Sequence, residues 1–493
     1  GLFDGRDHHD FGNHRAADVD TRSRPGSHRR RDRCGGDGGF ARERFVFLGR
    51  LPIFRSRRGY RLPSIHDGDD DRRCRRVFLC VASLVCDLKE ETVATGFKEM
   101  AESIFLAGLR RVDSRELIDR VLTVEGDRLE VQTDSQSITL DLSRYDRILV
   151  AAVGKAASRM SLGLHDLLGL RISKGLVVTK EGHLEKLPFQ FEVVFGSHPV
   201  PDASSVAAAE KLVRLCTDAG PRDLVIGLIS GGGSSLAALP VEGITLPEKQ
   251  AVTRRLLASG ASITEINSVR KRISKIKGGR LLEAIQPADS LNLILSDVAG
   301  DDLRVIASGM TVPHLEGPPP SIRLLHNVIV GSNQHALAAA AEKARSLGFE
   351  TVIATEPIVG EAREAAHAIL QSAAATRDRS RPACYLAGGE TTVTIRGAGK
   401  GGRNQEMALA ALLEVPPDVM FLSASTDGGD GPTDAAGAFA SSEILERARQ
   451  LGLDPREYLD KNDSYSFFEA VGGHLKTGPT NTNVCDLQIV LMR

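Results

Sequence analysis

The 493-residue chain contains no tryptophan, and only 4% of it is aromatic. A platform for stacking unpaired bases is therefore not expected. Net charge is nearly absent, with 63 Lys and Arg against 64 Asp and Glu, so no overall field draws the chain to nucleic acid. Long apolar runs are also lacking: Val77 to Cys86 supplies about half of what a membrane-spanning helix needs. The seven cysteines are odd in number and without metal-ligand spacing, which excludes a disulfide or zinc framework. Cys216, Cys384 and Cys485 fall in helix- or strand-like segments and are expected in the core of a cytoplasmic protein.

The first 88 residues lack both Lys and Met and are dense in Arg, Asp, Gly and His. No helix or strand period runs through them, so residues 1–95 are expected to be a disordered, dispensable extension, read from a start placed too early, since the first Met is Met100. From Met100 onward the chain alternates strands and helices. The near-continuous apolar run DRILVAAVG (146–154) has the character of a buried parallel strand. GLVVTK, FEVVFGS, DLVIGLIS, LNLILSD, NVIVGS and TVIAT repeat that character between Ala-rich stretches, which implies α/β layers. The Ala- and Arg-rich stretch 372–383 reads as a boundary, after which CYLAGGETTVTI, VMFLSAS and CDLQIVL form a smaller α/β unit.

In open α/β sheets ligands bind beyond the carboxyl ends of strands, and the chemistry-bearing residues cluster there. After DLVIGLIS come Ser230, Gly231, Gly232, Gly233, Ser234 and Ser235, a turn able to converge backbone N–H groups on an anion, or simply a tight turn. Lys155 ends the first strand without the remaining residues of a Walker A loop; it is either a phosphate contact or a solvated lysine. Along INSVRKRISKIKGGR (266–280), helical spacing would put Asn267, Arg270, Ser274 and Lys277 on one face, with Gly278 and Gly279 closing the helix. Asp297, Asp301 and Asp302 follow LNLILS, and Asp427, Asp430 and Asp434 follow VMFLSAS. Such carboxylates suit Mg²⁺ held jointly with phosphate oxygens, or they are turn formers. Gly397, Gly399 and Gly402 satisfy the dinucleotide fingerprint, with a strand expected at Thr391 to Ile395 and a helix at Asn404 to Leu413. Anion turns, basic side chains and two acidic loops together favour phosphoryl transfer over hydride transfer.

Taken in order, SGGGSSL, INSVRKRISKIKGGRL, SDVAGDDLRVIASG, VGSNQHAL, GGETTVTIRGAGKGGRNQEMAL, STDGGDGPTDAAGA and TGPTNTNVCDLQIVL resemble the motifs of the glycerate 2-kinase, or MOFRL, family from Phe97 to Arg493. The resemblance implies a Rossmann-like domain over 96–372 and a smaller α/β domain over 380–493, with the active site in the cleft between them. It implies ATP and Mg²⁺ as cofactors, D-glycerate as the small-molecule partner, and 2-phosphoglycerate as product, with neither nucleic acid nor membrane involved. Lys155, Arg403, Asp297 and Asp427 become the expected catalytic residues. Ser230 to Ser235, Asn267, Arg270, Lys277, Ser308, Glu390, Gly399, Gly402 and Asn404 are expected to bind nucleotide or substrate, and Asp297, Asp301 and Asp430 to hold the metal. The chain departs from the family at Met310, where proline is usual, at His314, where aspartate is common, and at Arg272 and Asn481. Loss of the proline is expected to free the loop. Two other readings stay open: a nicotinamide-dependent hydroxypyruvate reductase using Gly397 to Gly402 and Asp427, and a non-catalytic metabolite binder.

Overall fold

A computed structural model describes residues 96–259, 263–314, 321–378 and 380–493. The expected extension, 1–95, lies outside them. Three sheets organise the described chain. An antiparallel meander comes first, made of β1 (Leu122–Glu125), β2 (Arg128–Gln132) and β3 (Ser137–Asp141); its exposed-buried alternation is clear in the strands but was not anticipated from sequence.

The second sheet is fully parallel, built from β4 (Arg147–Val153), β5 (Ile172–Thr179), β6 (Phe191–Phe195), β7 (Asp223–Ile229), β8 (Asp289–Leu295) and β9 (Leu325–Gly331). Its order is β6-β5-β4-β7-β8-β9, the Rossmann arrangement, in which the chain winds outward from the centre in both directions. The switch point between β4 and β7 is where such sheets bind ligands. The third sheet is mixed, with order β10-β11-β15-β12-β13-β14 from β10 (Glu350–Ile353), β11 (Ala383–Gly389), β12 (Val419–Ser425), β13 (Gly437–Ala440), β14 (His474–Leu475) and β15 (Asp486–Met492). Only β10 and β11 run parallel; β15 is antiparallel to both β11 and β12.

The expected division at 372–380 is corrected by this topology. TVIAT is β10, which pairs with β11 in the third sheet, and the helix Asn333–Ser346 packs on β10 and β11. The chain therefore crosses from one sheet to the next after β9. The Ala- and Arg-rich stretch that resembled a linker is the end of the helix Ala362–Thr376 and its connection to β11.

Side-chain alternation explains the layering. In β4, Ile148, Val150 and Ala152 enter one core while Leu149, Ala151 and Val153 enter another. In β15, Leu487, Ile489 and Leu491 join that first core and Val490 and Met492 a third. One central core thus joins a face of each large sheet, with the helices 96–111 and Asn333–Ser346 contributing Ile104, Phe105, Ala336 and Ala340 to it. Close packing there requires Gly108, since an added Cβ would sit 2.8 Å from the Ala336 carbonyl.

The glycine stretch at 396–406 does not follow a strand: Thr391 to Ile395 contain a single bridge, Thr392 to Glu361. Nor do its glycines adopt left-handed φ. They are small because the loop lies against residues 461–464. An added Cβ on Gly397 would come within 2.3 Å of the Lys461 carbonyl oxygen, and one on Gly401 within 2.2 Å of Ser464 Oγ. Asn462 Oδ1 accepts from the Arg396 and Gly397 amides. Gly397→Ala is expected to lower stability by about 1–3 kcal/mol, the usual cost of overpacking, measured by urea denaturation; an unchanged midpoint would refute the close-packing account.

Candidate functional site

Strand register assembles the site. Val153, Ile229 and Ile294 are neighbours across β4, β7 and β8, so the residues following them, Gly154 and Lys155, Ser230 and Gly231, and Asp297, emerge side by side. Backbones approach closely at the switch point. Gly154 has φ +133°, and a Cβ there would lie 2.1 Å from Ser230 Oγ. Ser230 Oγ accepts from the Ala156 amide, and the Lys155 amide donates to the Gly231 carbonyl. Gly232 takes left-handed φ (+82°), which leaves the Gly231 and Gly232 amides donating to no group among the described residues. Successive unpaired backbone N–H groups are what an anion-facing turn requires.

The third sheet presents its own edge to these residues. Gly389 and Ser425 both pair with Asp486, so Glu390, Asp427 and Asp486 gather where β11 and β12 end and the antiparallel β15 begins. Lys155 Nζ lies 3.5 Å from Asp427 Oδ2, bridging the two sheets. Asp427 Oδ1 accepts from Ser425 Oγ and the Gly429 amide, which fixes the carboxylate. Cys485 Sγ donates to the Asp297 carbonyl at 3.0 Å across the same divide. Burial, reinforced by the charge of Glu390, pushes the Asp297 carboxyl up to about 6, against the opposing pull of Lys155.

Arg403 is in the cleft, but its guanidinium is engaged. It bonds both oxygens of the fully buried Asp486, at 2.5 and 2.9 Å, and Glu390 Oε1 at 2.9 Å. Burial works against the arginine's charge, and the Asp486 carboxylate more than restores it, so its pKa is raised. Arg403 thus reaches the site as a brace for two carboxylates, where sequence reasoning expected a free grip on an anion.

Other expectations are corrected. Asp430 receives the Asn404 and Gln405 amides and both of their side-chain amides, capping the helix Arg403–Leu412. Its carboxylate is thereby consumed as a structural cap, and so are the helix-start amides expected to face an anion. Gly399 and Gly402 are packing positions, against Asp463 and Asp430 respectively. Asp301 stands in a left-handed turn within electrostatic reach of His335. Among the described residues no three His, Cys, Asp or Glu side chains group to hold a metal, so Asp297, Asp301 and Asp430 do not form a shared cage.

The stretch 266–280 is not one helix. The helix Ile263–Arg272 stops, Ser274 bridges Pro240, and a new helix, Arg280–Ile285, starts after left-handed Gly278 and Gly279. Lys277 is brought instead to the Gly231–Ser235 turn, donating to the Ser234 carbonyl at 2.8 Å. Ser234 Oγ and Ser308 Oγ lie 2.7 Å apart. Asn267 is buried on the helix Ile263–Arg272, which also carries Arg270. The Met310 side chain is 1% exposed, within the core beneath the second sheet. Asn481 takes left-handed φ (+56°), the conformation asparagine tolerates.

Sequence reasoning missed His198 and Asp486. His198 follows β6, where the strand-end rule would have found it; a Cβ on Gly232 would sit 3.1 Å from its ring and 3.3 Å from Lys155 Cγ. Asp486 begins an antiparallel strand, so its amino end meets the carboxyl ends of its neighbours, which no rule about carboxyl ends detects.

Fold and site define an α/β protein with two large sheets and a charged cluster at a Rossmann switch point. Residues 100–333 match the family described as a domain of unknown function, DUF4147, and residues 383–486 match the MOFRL family. The chain is 42% identical to a D-glycerate 2-kinase of Thermotoga maritima, over 72% of this chain and 93% of that one. It is 39% identical to an Agrobacterium vitis protein bearing a provisional hydroxypyruvate reductase name, over 70% and 99% of the two chains. The crystal structure of glycerate kinase from Thermotoga maritima superposes with a TM-score of 0.71 at 37% identity, covering 81% of this chain and all of that one. The chain belongs to the glycerate 2-kinase family. Among the described residues no helix is long and apolar enough to cross a membrane.

Burial, with Lys155 beside it, pushes His198 down to about 4. The unfolded chain therefore binds more protons between about pH 6.5 and 4, and stability attributable to this residue is lost as pH falls through that window. His198→Gln is expected to reduce the drop in urea midpoint between pH 7 and 4.5; an undiminished drop would show that the imidazole does not titrate in this way.

Proposed function

We propose that this protein is a cytoplasmic kinase that transfers the γ-phosphoryl group of ATP to the 2-hydroxyl of D-glycerate, giving 2-phospho-D-glycerate and ADP. The observation that carries this reading is the Lys155–Asp427 pair, which spans the two sheets beside the free amides of Gly231 and Gly232. The glycerate hydroxyl oxygen attacks the γ-phosphorus, its proton passes to Asp427, and the bond to the bridging oxygen of ADP breaks. Lys155 and the two glycine amides stabilise charge on the transferring group. His198, neutral at physiological pH, accepts a hydrogen bond from a substrate hydroxyl. Arg403 positions Glu390 and Asp486 at the cleft edge. The charged groups fit Mg²⁺ arriving with phosphate, which needs only one or two carboxylates from the protein; Asp297 and Glu390 would hold it, and it would offset phosphate charge.

The reductase reading has lost its structural support, because the glycine stretch is packed against residues 461–464. ADP release with ATP, Mg²⁺ and D-glycerate, followed by direct conversion of the product by enolase, tests both activity and regiochemistry. A product that enolase takes only after a mutase is added would move the transfer to the 3-hydroxyl. Lys155→Met is expected to lower kcat by at least about a hundredfold, the scale of a lost transition-state charge contact; near-native kcat would remove Lys155 from the mechanism. Arg403→Ala is expected to lower kcat/KM by about a hundredfold, because Glu390 and Asp486 lose the group that positions them, and to lower the urea midpoint, because Asp486 is left buried without its partner.

A further inference from the structure

Half-buried arginines among the described residues are commonly matched by carboxylates: Arg363 by Glu406, Arg403 by Asp486, Arg159 by Asp113 and Glu185. Three cations close enough to feel one another's charge, one of them hydrogen-bonded to the Gly231–Ser235 turn, break that rule. Lys277 is 1% exposed, and among the described residues its ammonium has only the Ser234 carbonyl as a hydrogen-bond partner. Lys249 is 5% exposed and donates to the Ile273 carbonyl. Arg270, partly buried beside them, has no hydrogen bond or ion pair with any described residue. The three feel one another. Burial and the charge of Arg270 push Lys249 down to about 8, and burial with the charges of Arg270 and Lys249 pulls Lys277 well below the ordinary lysine value.

Buried charge without a counter-charge is costly, and the cost falls away when an anion enters. The surroundings are prepared for one. The Ser234 and Ser308 hydroxyls stand 2.7 Å apart at the same turn, and the Gly278 amide fixes the lysine loop to the Ser308 carbonyl. A monocarboxylate would offset one of three charges; a chain of linked phosphates offsets all of them. The cleft around Lys155 cannot take that role alone, since Lys155 and Arg403 already face Asp427, Asp486 and Glu390.

We propose that Lys249, Arg270 and Lys277 form an oligophosphate-binding pocket, which grips the inner phosphates of a nucleoside triphosphate or a free inorganic oligophosphate. This deepens, and rests on, the phosphoryl-transfer reading. Ser234, which holds Lys277, is two residues along the turn from Gly232, where an added Cβ would lie 3.3 Å from Lys155 Cγ. A donor held in the pocket accordingly has its terminal phosphate directed toward the Lys155–Asp427 pair.

Thermal unfolding of the full chain with tripolyphosphate or ADP, in EDTA and at matched ionic strength, tests this. Both ligands are expected to raise the midpoint saturably, by several degrees, while acetate at equal ionic strength does not. Arg270→Met is expected to unfold at or above the native midpoint without ligand, because a buried unpaired charge has gone, and to lose the ligand-induced rise. Lys249→Met serves as the second variant should Arg270→Met fail to fold. Saturation by ADP at tenfold lower concentration than tripolyphosphate marks the nucleotide as the occupant; equal concentrations mark the free oligophosphate, and either supports the pocket. A rise that persists in both variants, or no rise in the native chain, overturns the proposal. Glycerate-dependent ADP release by the native chain, measured in parallel, separates the two failures: transfer with no pocket effect sinks the pocket alone, whereas absence of transfer sinks the kinase reading.

Discussion

The central core shared by the two large sheets is the constraint on which the cleft depends. Were each sheet to bury its faces separately, the carboxyl ends of β4, β7 and β8 would have no fixed relation to β11, β12 and β15. Instead the helices 96–111 and Asn333–Ser346 lie in one continuous apolar layer with Val150, Leu228, Leu422 and Leu487. Small residues set the spacing, as the contact between Gly108 and the Ala336 carbonyl shows. Two polar ties reinforce it: Thr482 Oγ1 donates to the Val112 carbonyl, and Ser114 Oγ to the Asn481 carbonyl. A cleft bridged by an ion pair of 3.5 Å needs that rigidity, because ångström-scale displacement of reacting groups is enough to reduce catalysis severely.

Charge within the cleft is segregated. On the third-sheet side, Asp427, Glu390 and Asp486 outnumber Arg403, while on the second-sheet side Lys155 and Lys277 lie at one glycine turn and Lys249 and Arg270 stand within electrostatic reach of Lys277. Asp486 is tolerable in a fully buried position because Arg403 takes both of its oxygens. The same pairing withdraws Arg403 from ligand binding and leaves the unmatched lysines and Arg270 as the stronger attraction for an anion. The carboxylate-rich side is suited to hydroxyls and a divalent cation, the basic side to phosphates, and Lys155 stands between them.

Much of the fold was legible because buried parallel strands leave an unmistakable apolar signature. DRILVAAVG and DLVIGLIS could hardly be anything else, and the strand-end rule then located Lys155, Ser230, Gly231, Asp297 and Asp427. What escaped depends on information that one sequence does not carry locally. The three short strands over 122–141 are amphipathic and lie among charged residues. TVIAT was legible as a strand, but its sheet partner was not. The helical wheel over 266–280 failed because Ser274 leaves the helix to bridge Pro240, although Lys277 arrives near the turn by another route. Lys249 sits in an ordinary amphipathic helix whose sequence gives no sign that its ammonium is buried.

The glycine stretch shows how one pattern can arise from different physics. In a dinucleotide site the glycines permit a tight turn between strand and helix and let a pyrophosphate approach the helix start. Here the preceding strand is missing, the glycine φ angles are ordinary, and Asp430 already occupies the helix start with four hydrogen bonds. A second anion at that helix start would have to displace a buried carboxylate and then face it. The spacing survives because side chains at Gly397, Gly399, Gly401 and Gly402 would collide with residues 461–464 and with Asp430. These glycines hold together the wall that carries Arg403, and their contribution to the cleft is made through that arginine and its two carboxylates.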